Sequence, residues 1–244
     1  MRRKIFVFVV ISTCFFLSAC QKEEIHDNLD YQTLGTSAND LLSGGSYSRL
    51  EIEINFMPGN APDPESMSNL VDFLKTYINK PGGINIYARE IPSENKPVLS
   101  ISDIVRIEKK YRTNFSAYHV IGVQVLITDG EYYKPDIFAT SYWNTSFCIF
   151  GKSLNDFSGN PGQIKRTTLL TTLLQHEFGH LLGLVNQGSP MQSNHVDPAN
   201  PAHCTNPDCL MYFQIESSNS AGNTNSFPTL DANCIADLKA NGGK

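Results

Sequence analysis

The alternation of apolar and polar side chains predicts where this chain forms strands. Hydrophobic residues occupy every second position from 50 to 56 and again from 84 to 88, which is typical of half-buried strands. The run 120–128 is almost wholly apolar, as expected for a central strand covered on both faces. Two shorter strands are predicted at 137–142 and 146–150.

Helical spacing of apolar residues appears between these strands. One such stretch runs from 67 to 78 and is ended by the turn residues 81–83, and a second runs from 104 to 111. The longest predicted helix spans 163–183. The order of strands and helices predicts an α+β fold in which helices pack on a mixed sheet.

The amino terminus has the pattern of a lipoprotein signal peptide. Basic residues at 2–4 precede an apolar run over 5–16, which is too short to span a bilayer, and Ser18-Ala19 leads into Cys20. We expect 1–19 to be removed and Cys20 to carry lipid. The alternative is an ordinary secretory signal, with Cys20 as a plain thiol. Both interpretations predict export.

The segment after Cys20 is polar. Residues 21–24, Gln-Lys-Glu-Glu, resemble the short export signal that sends Bacteroidetes lipoproteins to the cell surface, although a solvated charge run is the alternative interpretation. We expect 20–46, rich in Gly and Ser, to be a flexible lipidated tether, and 47–244 to be one folded domain. This predicts anchoring to the outer membrane, at the surface or on its periplasmic face, and a monomer.

The net charge of the chain argues against a nucleic acid as partner. The formal net charge of the full chain is −5, and removal of 1–19 makes it −8, because that segment holds three basic residues and no acidic one. A chain this acidic, without a basic patch, does not predict nucleic-acid binding.

A metal-binding motif is the strongest chemical feature of the sequence. His176 and His180 stand four positions apart on the predicted long helix, so both imidazoles lie on one face and can grip one metal ion. Glu177 stands between them, where its carboxylate could act as general base toward a water activated by the metal. A catalytic zinc site needs a third protein ligand and keeps one open position.

The motif resembles that of the metzincin metallopeptidases, His-Glu-x-x-His-x-x-Gly-x-x-His. The first four conserved positions correspond to His176, Glu177, His180 and Gly183. The position of the third histidine is occupied by Asn186, and amide groups are poor zinc ligands. An insertion therefore displaces the third ligand, if zinc is bound as in that family.

The run 203–211, His-Cys-x4-Cys-x-Met, resembles the corresponding segment of the archaemetzincins. The resemblance implies that His203 is the third ligand and that Met211 forms the turn beneath the metal. His195, followed by Val-Asp, is the competing candidate, and Asn186 is the third. Tyr212 could stabilise an oxyanion, but packing is the more ordinary role for a tyrosine beside a buried turn.

The resemblance implies a metzincin-like α+β fold with a long active-site helix and a zinc cofactor. The predicted activity is hydrolysis of peptide bonds, with Glu177 as the catalytic base and peptides or proteins as substrates. Two alternatives stay open: a zinc hydrolase of non-peptide amides, and a catalytically degenerate binding or adhesion lipoprotein. Retention of Glu177 speaks against degeneracy.

Four cysteines remain in the exported domain. Outside the cytoplasm they predict two disulfides, and we expect Cys204 to pair with Cys209 and Cys148 with Cys234, although four thiols permit three pairings. The later Cys-x-x-Cys of the archaemetzincins is absent here, which puts a second, structural zinc site in doubt.

Overall fold

A mixed five-stranded sheet forms the centre of the protein. The computed structural model describes residues 29–216 and 227–244, and the predicted signal peptide and Cys20 lie outside that part of the chain. The strands are β1 (Arg49–Phe56), β2 (Ile84–Glu90), β4 (Val120–Thr128), β6 (Ala139–Trp143) and β7 (Ser146–Phe150), in the order β2-β1-β4-β7-β6. Strand β6 runs antiparallel to β7, and the other neighbours are parallel. The predicted fold class is confirmed.

Helices cover both faces of the sheet. They are α1 (Ala38–Leu42), α2 (Pro64–Tyr77), α3 (Ile101–Tyr111), α4 (Gly151–Asp156), α5 (Arg166–Leu181) and α6 (Ala232–Ala240), with a 3-10 turn at Phe213–Glu216. Two short strands, β3 (Val98–Leu99) and β5 (Glu131–Tyr132), pair in a separate parallel ladder. None of the helices in 29–216 and 227–244 is long and apolar enough to cross a membrane.

Side chains of β4 alternate between two hydrophobic layers, as its apolar run predicts. Val125 and Ile127 belong to the larger core, which includes apolar residues of α2 and α5, whereas Leu126 joins a smaller cluster around Ile104 and Ile107 of α3. This arrangement places α5 on one face of the sheet and α3 on the other.

Local signals set the ends of the helices. Asp63 caps α2 by accepting a hydrogen bond from the Ser66 amide at 2.9 Å. Ser100 and Asp103 form a reciprocal capping box at the start of α3. Helix α5 ends before Gly183, whose φ of +77° is the left-handed conformation that commonly terminates helices.

The expected flexible tether is wrong for the described part of 20–46. Asp30 is buried, and its carboxylate lies 3.2 Å from the Arg112 guanidinium, which also pairs with Glu108 at 2.8 Å. Leu41 and Leu42 of α1 are fully buried in the larger core. The polar, glycine-rich composition of 20–46 gave no sign of these contacts, because the described part of the segment packs through a few apolar residues and through buried polar pairs.

Candidate metal centre

The two helix histidines point into the interior from α5. His176 is fully buried, and its Nδ1 lies 2.6 Å from the Leu210 carbonyl oxygen, so Nδ1 carries the proton and donates. The Nε2 atoms of His176 and His180 stand 3.1 Å apart. Two nitrogen ligands on one tetrahedral zinc ion are separated by about 3.3 Å, given Zn–N distances of about 2.0–2.1 Å. The helix therefore presents both imidazoles at ligand spacing.

His203 comes to the same point from the loop after α5. Its ring centroid is 5.4 Å from that of His176 and 5.1 Å from that of His180, and one ring nitrogen of each residue lies within 4.8 Å of the others. The Nδ1 of His203 is 3.2 Å from the Pro201 carbonyl oxygen. Backbone carbonyls thus engage Nδ1 of His176 and His203, which leaves Nε2 as the ligand atom of each ring.

Three imidazoles, two of them with Nδ1 held by a backbone carbonyl, fit a zinc ion in chemistry and spacing. This ligand set leaves a fourth position for water or substrate, as catalytic zinc sites require. The structure brings together the three histidines that the sequence proposed as ligands, His176, His180 and His203.

Met211 lies directly beneath the helix, as the resemblance implies. It is fully buried, and a Cβ placed on Gly179 would stand only 2.2 Å from its sulfur. The Met211 carbonyl oxygen accepts a hydrogen bond from the Cys204 amide at 2.7 Å, beside His203. Glycine at position 179 therefore allows the turn and the helix to approach closely.

Glu177 is fully buried beside the histidines. Its Oε2 accepts a hydrogen bond of 2.6 Å from the hydroxyl of Ser141 on strand β6. A buried carboxylate requires such donors, because burial without hydrogen bonds disfavours its charged form. The contact joins the edge of the sheet to the site.

The other candidate residues lie elsewhere. Asn186 is exposed in the turn after α5, with a φ of +64°. His195 is buried but belongs to a second group of possible ligands. Tyr212 is half-buried and packs edge-on against Phe213, with ring centroids 4.8 Å apart. The structure therefore places neither Asn186 nor His195 in the ligand group of the helix histidines.

The second group of possible ligands is His195, Cys204, Asp231 and Cys234. Cys209 adjoins it through Cys234, and we call His195, Cys204, Cys209 and Cys234 the cysteine cluster. The Sγ atoms of Cys209 and Cys234 are 3.7 Å apart, and His195 Nδ1 is 3.4 Å from Cys204 Sγ and 4.0 Å from Cys234 Sγ. All four residues are buried. Two sulfur ligands on one tetrahedral zinc ion lie about 3.8 Å apart, given Zn–S distances of about 2.3 Å, so the spacing of Cys209 and Cys234 fits two ligands of one zinc ion.

Hydrogen bonds from neighbouring groups affect which atoms of the cysteine cluster can bind a cation. His195 Nε2 donates to Asp237 Oδ2 at 2.8 Å, which leaves Nδ1 as an acceptor toward the sulfurs. The Met211 amide donates to Cys209 Sγ at 3.4 Å. The hydrogen bond from the Cys234 thiol lowers the pKa of Cys209 to about 7, whereas the same bond raises the pKa of Cys234 and burial raises the pKa of Cys204. A thiolate at Cys209 is therefore accessible near neutral pH.

Asp231 also lies beside Cys204, but its carboxylate has another role. One oxygen accepts from the Cys234 amide at 3.0 Å and caps α6. The other oxygen accepts from Asn206 at 3.1 Å and from the Cys204 thiol at 3.3 Å. With both oxygens engaged, Asp231 is a weaker candidate ligand than Cys209.

The predicted disulfides are wrong in this structure. Cys148, Cys204, Cys209 and Cys234 are all free thiols. Cys148 lies in the smaller core cluster with α3, whereas Cys234 lies in the larger core, so the proposed bridge between them has no structural basis. The spacing of residues along the chain could not show that His195 lies beside Cys204, Cys209 and Cys234.

No protein-family model matches the chain, and no curated protein sequence matches it. Among solved structures, the crystal structure of archaemetzincin from Methanopyrus kandleri matches with a TM-score of 0.52 and 14% sequence identity. The match covers 80% of this chain and 96% of that one. The chain has an archaemetzincin-like fold. At this identity the likeness concerns the fold alone, and the site's chemistry has to be argued from its own residues.

Three residues of these sites were missed in the sequence. Ser141 looked like an ordinary strand residue, and the tertiary contact to Glu177 has no sequence signal. Asp237 lies on α6, a helix that had not been predicted. Asp231 followed by apolar residues at helical spacing is an N-cap signal that could have identified α6.

Proposed function

We propose that this protein is a zinc-dependent metallopeptidase. The observation that carries the proposal is the convergence of His176, His180 and His203 around one point, with the buried carboxylate of Glu177 on the same helix turn. The archaemetzincin-like fold supports the same assignment. The three histidines would hold zinc, with Nε2 as the ligand atom of each ring.

Zinc, when bound there, would lower the pKa of water and polarise the scissile carbonyl group. Glu177 would act as general base, taking a proton from the attacking water as its oxygen bonds to the carbonyl carbon. It would return that proton to the nitrogen as the C–N bond breaks, so the products are a carboxylate and an amine. Leu210 and Pro201 would hold the imidazoles of His176 and His203 through their carbonyl oxygens.

An extended peptide fits this site better than a small amide does. Strand β6 is the outermost strand on its side of the sheet, and its Ser141 touches Glu177. An outer strand offers backbone donors and acceptors with which an extended chain can pair. A peptide lying along β6 would therefore pass the general base.

The test combines metal analysis with cleavage of a peptide library. Glu177→Ala should keep zinc and fold while turnover falls by several orders of magnitude. His176→Ala and His203→Ala should lose this zinc, whereas His119→Ala, an exposed histidine outside both ligand groups, should keep it. Full turnover by Glu177→Ala would refute the general base. A zinc-loaded wild type that cleaves no peptide would favour the binding-protein alternative or another amide substrate.

We also propose that the cysteine cluster holds a structural zinc ion. Its four donors, His195, Cys204, Cys209 and Cys234, would complete a tetrahedral shell, so no position stays open for substrate. Cys204 directly follows His203, and Cys209 bonds to the Met211 amide. An ion there would tie down the loop that carries the third ligand of the catalytic site.

Export and anchoring stay proposals from the sequence. We propose a monomeric lipoprotein held at the outer membrane by lipid on Cys20, with peptide or protein substrates and no nucleic acid. Cys20→Ala should shift the protein from the membrane fraction to the soluble fraction. Equal membrane association of both forms would contradict the anchor.

A further inference from the structure

Strand β6 turns one hydroxyl toward the proposed general base. Ser141 stands opposite Phe147 of β7 in the antiparallel register, and residues directly opposite share one face of a sheet. Phe147 packs against Phe178 of α5 with ring centroids 5.5 Å apart. Ser141 therefore faces α5, and its Oγ reaches Glu177 Oε2 at 2.6 Å.

A β-bulge after Ser141 reinforces this orientation. The register shifts between Ser141 and Trp143, so Tyr142 is the extra residue of the strand. The hydroxyl of Tyr142 donates to Glu108 of α3 at 2.6 Å, on the opposite face of the sheet. Two adjacent side chains are thus fixed on opposite faces, and Ser141 is held against α5.

We infer that Ser141 is a positioning residue for Glu177, an inference that rests on the proposed function. Donation to Oε2 fixes the rotation of the carboxylate and supplies a partner for one buried oxygen. The other oxygen, Oε1, is then the one that takes the proton of the attacking water. Ser141 acts through Glu177 and touches neither the metal ligands nor the reacting atoms in this scheme.

The experiment uses acetohydroxamate, a small zinc-binding acid whose acidic proton a neighbouring carboxylate can accept. Its affinity is measured by calorimetry on zinc-loaded wild type, Ser141→Ala, Ser141→Thr and Thr140→Ala. Thr140 stands opposite Cys148 and so lies on the other face of β6, which makes it the matched hydroxyl control. Zinc content and melting temperature are recorded for each variant, and His176→Ala reports any binding outside the site.

Ser141→Ala should bind acetohydroxamate about tenfold more weakly, as expected for the loss of one hydrogen bond to a charged group, with zinc content unchanged. Ser141→Thr should restore affinity to within about threefold, and Thr140→Ala should match wild type. With a peptide that the wild type cleaves as substrate, Ser141→Ala should lower kcat about tenfold or more and leave KM within about twofold of the wild-type value.

The decisive comparison repeats the change in a Glu177→Ala background, where Ser141→Ala should have no further effect on affinity. An equal loss in both backgrounds, or wild-type affinity in Ser141→Ala, would overturn the inference. Failure of wild type to bind acetohydroxamate would overturn it too. A wild type that binds zinc and acetohydroxamate but cleaves no peptide would refute only the proposed peptidase activity, because the binding cycle still reports on Ser141.

Discussion

Gly179→Ala tests the packing of the turn at Met211 against helix α5. A Cβ at this position would stand 2.2 Å from Met211 Sδ and 3.1 Å from its Cε, far inside normal contact distance. Met211 is fully buried, so it cannot swing into solvent. Overpacking of this kind costs about 1–3 kcal/mol, whereas the helix gains about 1 kcal/mol when Ala replaces Gly. We expect a net loss of up to about 2 kcal/mol.

The sign should reverse once the methionine is shortened. In a Met211→Ala background the clash is absent, so Gly179→Ala should stabilise the protein by up to about 1 kcal/mol through helix propensity alone. Urea unfolding of the four proteins in the cycle measures both effects, and a chelator competition measures zinc affinity. Zinc affinity should fall for Gly179→Ala, because the displaced turn is continuous with His203. Stabilisation by Gly179→Ala in the wild-type background would refute this packing.

Three further predictions concern other parts of the fold. Gly183→Ala should destabilise the protein by about 1 kcal/mol or more, because the φ of Gly183 is +77° and a Cβ there would lie 2.5 Å from a backbone nitrogen. Thermal unfolding measures this, and an unchanged melting temperature would contradict it. Arg112→Met should cost about 3 kcal/mol or more, because it leaves buried carboxylates unpaired, whereas Arg106→Met, at a half-exposed pair, should cost much less. Equal losses of stability in urea unfolding would refute the contrast. Metal analysis should find about two zinc ions per chain. Cys234→Ser should lose one of them, whereas Cys148→Ala, at a buried cysteine outside the cluster, should keep both. A single zinc ion in wild type would count against the structural site.

Hydrophobic patterning alone predicted the main architecture. The apolar run at 120–128 became the central strand β4, and the alternation at 50–56 became part of β1. The long helix predicted over 163–183 formed as Arg166–Leu181, ended by the glycine that the motif contains. These elements are long and marked by alternation, by a continuous apolar run or by apolar residues at helical spacing, so the sequence alone indicates them. Helices α1 and α6 were missed because each is short, with few apolar positions to define a period.

The same division applies to the site. Two histidines four residues apart must share a helix face, so the sequence by itself determined the pairing of His176 with His180 and the position of Glu177 beside them. Local spacing could not decide between His195 and His203 as the third ligand, because both lie in a loop whose path depends on its contacts. Only the tertiary structure separated them, bringing His203 to the helix pair and His195 to the cysteines.

The cysteines and Ser141 show why distant contacts escape a sequence. Four cysteines satisfy the composition of a disulfide protein and of a metal site equally well, and only the packing of α6 decides between them. Ser141 precedes Glu177 by 36 positions, and its contact depends on the register of β6 against β7 and on the packing of β7 against α5. Periodicity records which face of an element is buried, whereas the partner on that face is set by how the elements pack together.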